Sequence, residues 1–224
     1  MNTLSLLKNM LSKSTELQEF TFHKYPSQVL VQRDLPNSGV AFEQIEEALS
    51  IRKRTGLPFW DSVMLTFFNR EEFSQEILTR STYHNAVCEV IRTGDVGVIE
   101  NIVKTERGVN VALNSQVFLT KKRKAHIFLL DFHIPPGERH LDVVACVLAE
   151  LGVKGFVLES GESYHFVGDE YYSQQEIVQL LGRALLFSPI VDRAWIGHQL
   201  IEGNCSVRVG YKHGVIPRVV KEVL

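Results

Sequence analysis

Two pairs of polar side chains, each separated by one residue, stand out in the middle of the sequence. Asp131 and His133 follow the apolar run IFLL, and Ser163 and His165 follow the turn residues Ser160-Gly161-Glu162. Alternate residues of a β-strand point to the same face, so each pair would present both side chains to one side of a sheet. A carboxylate with an imidazole can hold a divalent ion, and a hydroxyl with an imidazole suits phosphate oxygens. The two pairs together indicate chemistry on phosphate.

Three later residues could complete such a site. Asp192 follows two β-branched residues, whereas Arg208 and Lys212 lie in the strand-like run SVRVG and in the turn after it. A second carboxylate would add a ligand for the ion, and the two cations would neutralise phosphate charge. Phosphoryl and nucleotidyl transfer require this combination, because their transition states carry charge on the phosphate oxygens.

The elements between these residues can bring them together on one sheet. Residues 137–151 show helical periodicity and end at Gly152, with strand-like runs before and after them. Ser173 and Glu176 have the spacing of a capping box, which predicts a second helix to about Phe187. With the strand-like run around Arg208, the order is β-α-β-β-α-β. That order is typical of a ferredoxin-like or RRM-like unit.

The preceding part of the chain is predicted to be mainly helical. An amphipathic helix at the N-terminus is followed by helices over residues 41–56, from Pro58 to Phe68 and from Arg70 to about Arg80. After Gly94-Asp95 the periodicity is near two, so VGVIENIV and GVNVALNS are predicted as strands. We therefore expect a helical N-terminal part over residues 1–94 and an α+β core over residues 95–224, joined in one compact unit.

The composition is ordinary for a globular protein, with 45% apolar and 22% charged residues and a net charge of -2. Any basic groove for nucleic acid must therefore be local. Three cysteines far apart in sequence fit neither a disulfide framework nor a metal clamp. No apolar run approaches the roughly 18 residues of a membrane span. We expect a cytoplasmic protein without a membrane partner.

One local cluster of positive charge stands directly before the central strand. It consists of the four adjacent cations Lys121, Lys122, Arg123 and Lys124. A loop of this kind favours either a phosphate contact or a solvated hairpin tip, and the sequence leaves both interpretations open.

The series LLDFHIPP, SGESYHF, IVD and SVRVGYKHG resembles the archaeo-eukaryotic primase (primase-polymerase) superfamily. The catalytic core of that superfamily carries a DxD or DxE pair, an SxH motif and a third acidic residue after hydrophobic positions. The resemblance covers roughly residues 108–220, and Ser163-Tyr164-His165 is its most specific part. It implies a primase-polymerase-like core that acts on a nucleoside triphosphate and on nucleic acid, DNA or RNA, in DNA replication or repair.

The resemblance also implies roles for individual residues. It makes Asp131 and Asp192 metal ligands, Ser163 and His165 contacts of the nucleotide's phosphates, and Arg208 and Lys212 contacts of the triphosphate or the template. His133 stands where the family pattern has a second acidic residue, and we include it in the catalytic and metal-binding set. Imidazole holds Mg²⁺ less well than a carboxylate does, and it suits Mn²⁺ or Zn²⁺ better. The expected cofactor is a divalent metal, Mn²⁺ or Mg²⁺, and Zn²⁺ is an alternative.

Three functional hypotheses follow. The first is a metal-dependent nucleotidyltransferase that resembles primase-polymerases. The second is a catalytically degenerate module that binds nucleotide or nucleic acid on an RRM-like sheet. Such a module needs base-stacking aromatics on the sheet face, whereas Tyr164 and Phe166 have the opposite parity to Ser163 and His165. The third is a metal-dependent phosphoesterase that uses the same Asp and His residues.

Overall fold

Two units make up the part of the chain that the structure describes. The computed structural model describes residues 1–26, 40–66, 77, 89–104, 109–212 and 214–224. One unit, the sheet unit, contains residues 1–26 and 87–224, and the other, the insert, contains residues 27–86. The insert therefore interrupts the sequence of the sheet unit, whereas the sequence predicted a helical part over residues 1–94.

One antiparallel sheet forms the framework of the sheet unit. Its strands follow the order β2-β1-β3-β4-β6-β5-β8, and β7 pairs with β3 outside this path. The strands are β1 Leu17–Pro26, β2 Glu89–Thr93, β3 Val109–Leu119, β4 Arg123–Asp131, β5 Gly155–Glu159, β6 Tyr164–Tyr172, β7 Ser206–Arg208 and β8 Arg218–Val223. Strand β1 was not predicted from the sequence. Its alternating residues Phe20 and Phe22 both point into the core and are fully buried.

Helices connect the strands of the sheet unit, and two further helices belong to the insert. Those in the described ranges are α1 Thr3–Lys13, α2 Val40–Thr55, α3 Phe59–Leu65, α4 Val96–Val103, α5 Glu138–Leu151, α6 Gln174–Leu185 and α7 Arg193–Glu202. α5 ends at Gly152, which adopts the left-handed conformation with φ 69°, and the capping box of Ser173 and Glu176 opens α6. The order β4-α5-β5-β6-α6 confirms the predicted α+β fold class.

The inner strand β4 is buried along most of its length. Its residues from Ala125 to Leu130 are all buried, because α6 contacts it and β3 and β6 pair with it. Phe128 packs near Phe166 of β6, with ring centroids 6.1 Å apart. Full burial of a large apolar side chain contributes roughly 1.5–3 kcal/mol. β4 is therefore a rigid support for Asp131 at its end.

The run VGVIENIV, predicted as a strand, is helix α4, so that prediction is wrong. Asp95 caps the helix by accepting a hydrogen bond from the amide of Val98 at 2.9 Å. Ile99, Ile102 and Val103 are buried on one side at helical spacing. The alternation of Val96 and Val98 suggested a strand, but both of these side chains are exposed.

Helix α2 confirms the helix predicted over residues 41–56, and α3 occupies part of the next predicted helix. The helix predicted from Arg70 to Arg80 lies outside the residues whose helical structure is described. No helix in the described ranges is both long enough and apolar enough to span a membrane.

Candidate functional site

The central pair of the site is formed by Asp131 at the end of β4 and His165 in β6. The two residues are direct partners in the antiparallel ladder, so their side chains share a face. His165 Nε2 lies 3.4 Å from Asp131 Oδ1. His165 is buried, and about a quarter of the Asp131 side chain is exposed, 24%. The predicted DxH and SxH pairs therefore meet at one place on the sheet.

A short antiparallel β-bridge brings Asp192 next to this pair. The amide of Asp192 donates to the carbonyl of Asp131 at 3.0 Å, and the amide of His133 donates to the carbonyl of Ile190 at 2.8 Å. Phe132 and Val191 are the bridge partners, and both are buried. Because neighbouring side chains alternate, Asp131, His133 and Asp192 point away from that buried pair, toward the site.

The two oxygens of Asp192 have different environments. Oδ1 accepts a hydrogen bond from the amide of Trp195 at 2.9 Å and so caps helix α7. Oδ2 lies 3.9 Å from His133 Nδ1, an ion-pair distance rather than a hydrogen bond. Capping fixes the carboxylate in place and leaves Oδ2 as the oxygen available to a ligand.

His165 is neutral over the physiological pH range, and its tautomer is defined. Burial, with the Arg208 charge as the next cause, lowers the pKa of His165 to about 3. Its Nδ1 lies 3.2 Å from the carbonyl oxygen of Arg208. Since a carbonyl oxygen can only accept, Nδ1 carries the proton and Nε2 carries the lone pair. That lone pair faces Asp131.

Asp131 holds its proton more tightly than an ordinary aspartate does. Burial raises its pKa well above the usual value, and the neighbouring Asp192 charge raises it further, against the opposing effect of Arg208. Asp131 Oδ1 is a buried oxygen without a hydrogen-bond partner within the described chain. An ionised Asp131 would place two acceptors 3.4 Å apart. The arrangement is satisfied by a proton on Asp131, by a cation or by a donor from a ligand.

The Arg208 guanidinium donates its hydrogen bonds to backbone carbonyl groups. Its guanidinium donates to the carbonyl of Gly210 at 2.9 Å, to that of Val215 at 3.3 Å and to that of Ser160. These bonds tie the β5–β6 turn to the segment after β7. The group was predicted to bind phosphate; in the structure its charge acts on Asp131 and His165, while its donors engage these carbonyls.

Ser163 and Lys212 lie on the same two segments. Ser163 Oγ is 3.3 Å from Ser160 Oγ, and Ser160 Oγ donates to the carbonyl of Ser163 at 3.1 Å. Lys212 and Val215 exchange two backbone hydrogen bonds of 3.0 and 2.9 Å. The Lys212 side chain is exposed, and its charge opposes the raised pKa of Asp131. No hydrogen bond or ion pair joins Ser163 or Lys212 directly to Asp131 in the described structure.

Two supporting residues were not predicted. Tyr164 is buried, and its hydroxyl accepts from the amide of Gly137 at 2.7 Å and donates to that residue's carbonyl at 3.1 Å. Its carbonyl also accepts from the amide of Phe132 at 3.0 Å. Tyr164 therefore holds both ends of the loop that carries His133. Ser160, the second, was assigned to the turn only. The available signal was the position of Tyr164, which alternates with Ser163 and His165 and therefore points to the opposite face of the strand. A tyrosine hydroxyl that is buried there needs a hydrogen-bond partner.

A sheet that combines acidic residues, histidines and cations in this way is suited to phosphate chemistry. A family model described as AEP-like, archaeo-eukaryotic primase 1D-like, matches residues 93–220, more than half of the chain. The chain belongs to this family. Searches of curated proteins and of solved structures found no match.

Proposed function

We propose that the protein is a metal-dependent nucleotidyltransferase that uses a nucleoside triphosphate and a nucleic-acid strand. The observation that carries the proposal is the buried, unpartnered Oδ1 of Asp131 facing the lone pair of His165 Nε2 at 3.4 Å. A buried polar atom without a partner costs stability, and such an arrangement is retained most readily where a ligand completes it. Membership of the primase-like family supports the same conclusion.

The residue types at the site suit a divalent ion. Asp131 Oδ1 and Asp192 Oδ2 supply hard oxygen donors, and His133 supplies a nitrogen that Mn²⁺ accepts more readily than Mg²⁺ does. No group of three or more His, Cys, Asp or Glu side chains within the described residues is arranged to hold an ion. Mg²⁺-like ions often use one or two carboxylates and take their other ligands from water and substrate phosphates. We therefore expect ion and nucleotide to bind together.

When bound, the ion would neutralise charge on the phosphates. The chain's own residues have separate tasks. Asp131 must release its proton before it can bind a cation, so ion binding is coupled to pH. Lys212 is exposed and free to turn toward a triphosphate. Arg208 keeps His165 in one tautomer through its carbonyl and holds the two flanking segments through its guanidinium.

The test is nucleotide incorporation on a primed template with Mn²⁺, compared with Mg²⁺ and with chelator. We expect extension with the wild-type chain and none with Asp131→Asn or with chelator. Asp142→Asn is the matched control, because Asp142 lies on the surface, 76% exposed, in a pair with Lys221. Absence of extension under every divalent ion, together with absence of nucleotide binding, would refute the proposal.

A module that binds without catalysis is the second candidate, and the absence of a preformed three-residue ligand group among the described residues favours it. It predicts nucleotide binding without extension. Stacking on the sheet at Tyr164 or Phe166 is not its mode of binding, since both side chains are buried. Release of phosphate or cut ends without extension would instead identify the phosphoesterase.

A further inference from the structure

The basic cluster at the β3–β4 turn is exposed and largely without internal partners. All four residues, Lys121, Lys122, Arg123 and Lys124, are exposed. Arg123 forms an ion pair with Glu16 at 2.8 Å. The side chains of the three lysines form no hydrogen bond or ion pair with any described residue. Three like charges within four residues repel one another, and no acidic side chain of the described chain neutralises the charges of these lysines.

The backbone of the turn is also unfavourable for lysine. Lys121 has φ 59° and Lys122 has φ 57°, and both are therefore in the left-handed region. Most residues other than Gly rarely adopt this backbone conformation, and Asn adopts it more often than lysine does. A turn of two left-handed residues would be built more stably from Asn and Gly. Strain of this kind persists where the side chains serve another purpose.

The turn and the Asp131–His165 site lie at opposite ends of the same strand. β4 runs from Arg123 to Asp131, and a strand rises about 3.3 Å per residue, so the two ends are roughly 26 Å apart. Successive phosphates of one strand of a duplex are about 3.4 Å apart along its axis. A nucleic acid that runs over the protein surface parallel to the buried strand β4 would therefore reach the lysines about eight nucleotides from the site.

We propose that Lys121, Lys122 and Lys124 bind the phosphate backbone of a nucleic acid whose end lies at the Asp131–His165 site. The proposal rests on the proposed function for the position of that end. It assigns the lysines a role in affinity and in the length of nucleic acid held, with no part in the chemistry. Contacts to phosphate carry no sequence information, so the effect is the same for different sequences.

The test measures binding of the full chain to a 20-base-pair duplex and to a five-nucleotide strand at several salt concentrations, without metal or nucleotide. Each phosphate contact contributes roughly 0.9 to the slope of log affinity against log salt. For the duplex, Lys121→Gln/Lys122→Gln/Lys124→Gln should reduce the magnitude of the slope by about two to three. The five-nucleotide strand spans about 17 Å, so it can contact the turn or the site but not both, and the wild-type chain should bind it more weakly than the duplex.

Two matched variants separate the turn from net charge alone. Replacing the same lysines by arginine keeps the charge and should keep the slope. Arg52→Gln/Lys53→Gln/Arg54→Gln removes three exposed charges at the end of α2, and it should leave the slope unchanged. An equal loss of slope in this second variant would overturn the proposal, since the effect would then follow total charge.

Strain offers an independent readout. Lys121→Asn/Lys122→Gly suits the left-handed turn, so the melting temperature should rise while duplex affinity falls. A rise in melting temperature with unchanged duplex affinity would overturn the proposal. So would binding of polyglutamate as strong as binding of the duplex, because the turn would then fit an acidic protein segment.

The two proposals can fail separately. Lysine-dependent duplex binding without nucleotide incorporation would refute the nucleotidyltransferase and keep the backbone contact. Incorporation with a salt slope that is unchanged in the glutamine variant would do the reverse.

Discussion

Asp131 Oδ1 faces His165 Nε2 at 3.4 Å across the paired strands β4 and β6. The histidine is neutral because it is buried beside Arg208, and the aspartate resists ionisation because it is buried beside Asp192. A single proton on the aspartate can serve both atoms. The consequences for stability and for function run in opposite directions.

Asp131→Asn should stabilise the free protein while it abolishes nucleotide incorporation. Asparagine has the same shape, carries no charge and can donate to His165. We expect a gain of about 1 kcal/mol at pH 8, or roughly 2–4 °C in melting temperature. A carboxyl whose pKa is raised in the folded state destabilises that state as pH rises above the unfolded value near 3.8. Denaturant unfolding at pH 5 and pH 8 should show the larger gain at pH 8; a loss at both pH values would contradict the electrostatic account.

Acid should destabilise the fold through its buried histidines. His126 donates to or accepts from Ser115 Oγ at 3.0 Å, and burial lowers its pKa to about 4. Between pH 6.5 and 4 the unfolded chain binds more protons at this position than the folded chain does, so stability falls as pH falls. His126→Gln should flatten this dependence. Chemical unfolding of both proteins from pH 7 to pH 4.5 checks it, and equal pH dependence would show that His126 is not responsible.

Arg208→Lys should be a severe substitution although it keeps the charge. One guanidinium reaches three carbonyls, of Ser160, Gly210 and Val215. An ammonium cannot bond all three in that planar arrangement, so buried acceptors lose partners at a cost of about 1–3 kcal/mol. We expect lower stability by urea unfolding and weaker nucleotide binding. Wild-type values in both measurements would mean that Arg208 acts through its charge alone.

Tyr164→Phe should loosen the loop that holds His133. The substitution leaves the amide and carbonyl of Gly137 without the hydroxyl that bonds both. A stability loss of about 1–2 kcal/mol is expected, with weaker binding of Mn²⁺ and nucleotide. Tyr172→Phe is the matched control, because the Tyr172 hydroxyl bonds Glu170 at the surface. The control should change stability by less than about 0.5 kcal/mol. Equal losses in the two variants would contradict a role for the Gly137 contacts.

Local patterns in the sequence were sufficient to predict much of the core. The stop of α5 at Gly152 and the capping box of α6 are encoded within a few residues, as is the shared face of Asp131 and His133. Strand parity similarly placed His165 on the face opposite to Tyr164. The meeting of Asp131 and His165 follows once β4 and β6 pair in this register.

Other features depend on contacts between distant parts of the chain. Nothing near Arg208 in sequence indicates that its donors engage Ser160, 48 residues away. The run VGVIENIV satisfies both periodicities in its apolar residues, and the cap at Asp95 decides for a helix. Partners set by tertiary structure, and short apolar runs of ambiguous period, limit what one sequence can predict.

The connection between β1 and β2 has a consequence for how this protein can vary. Lys24 and Glu89 are ladder partners, so the chain leaves the sheet after β1 and returns to it one strand spacing away, about 4.8 Å. Closing a loop becomes only about 0.6 kcal/mol harder for each doubling of its length. The connection over residues 27–86 can therefore change in length without changing the separation of the two paired strands that anchor it.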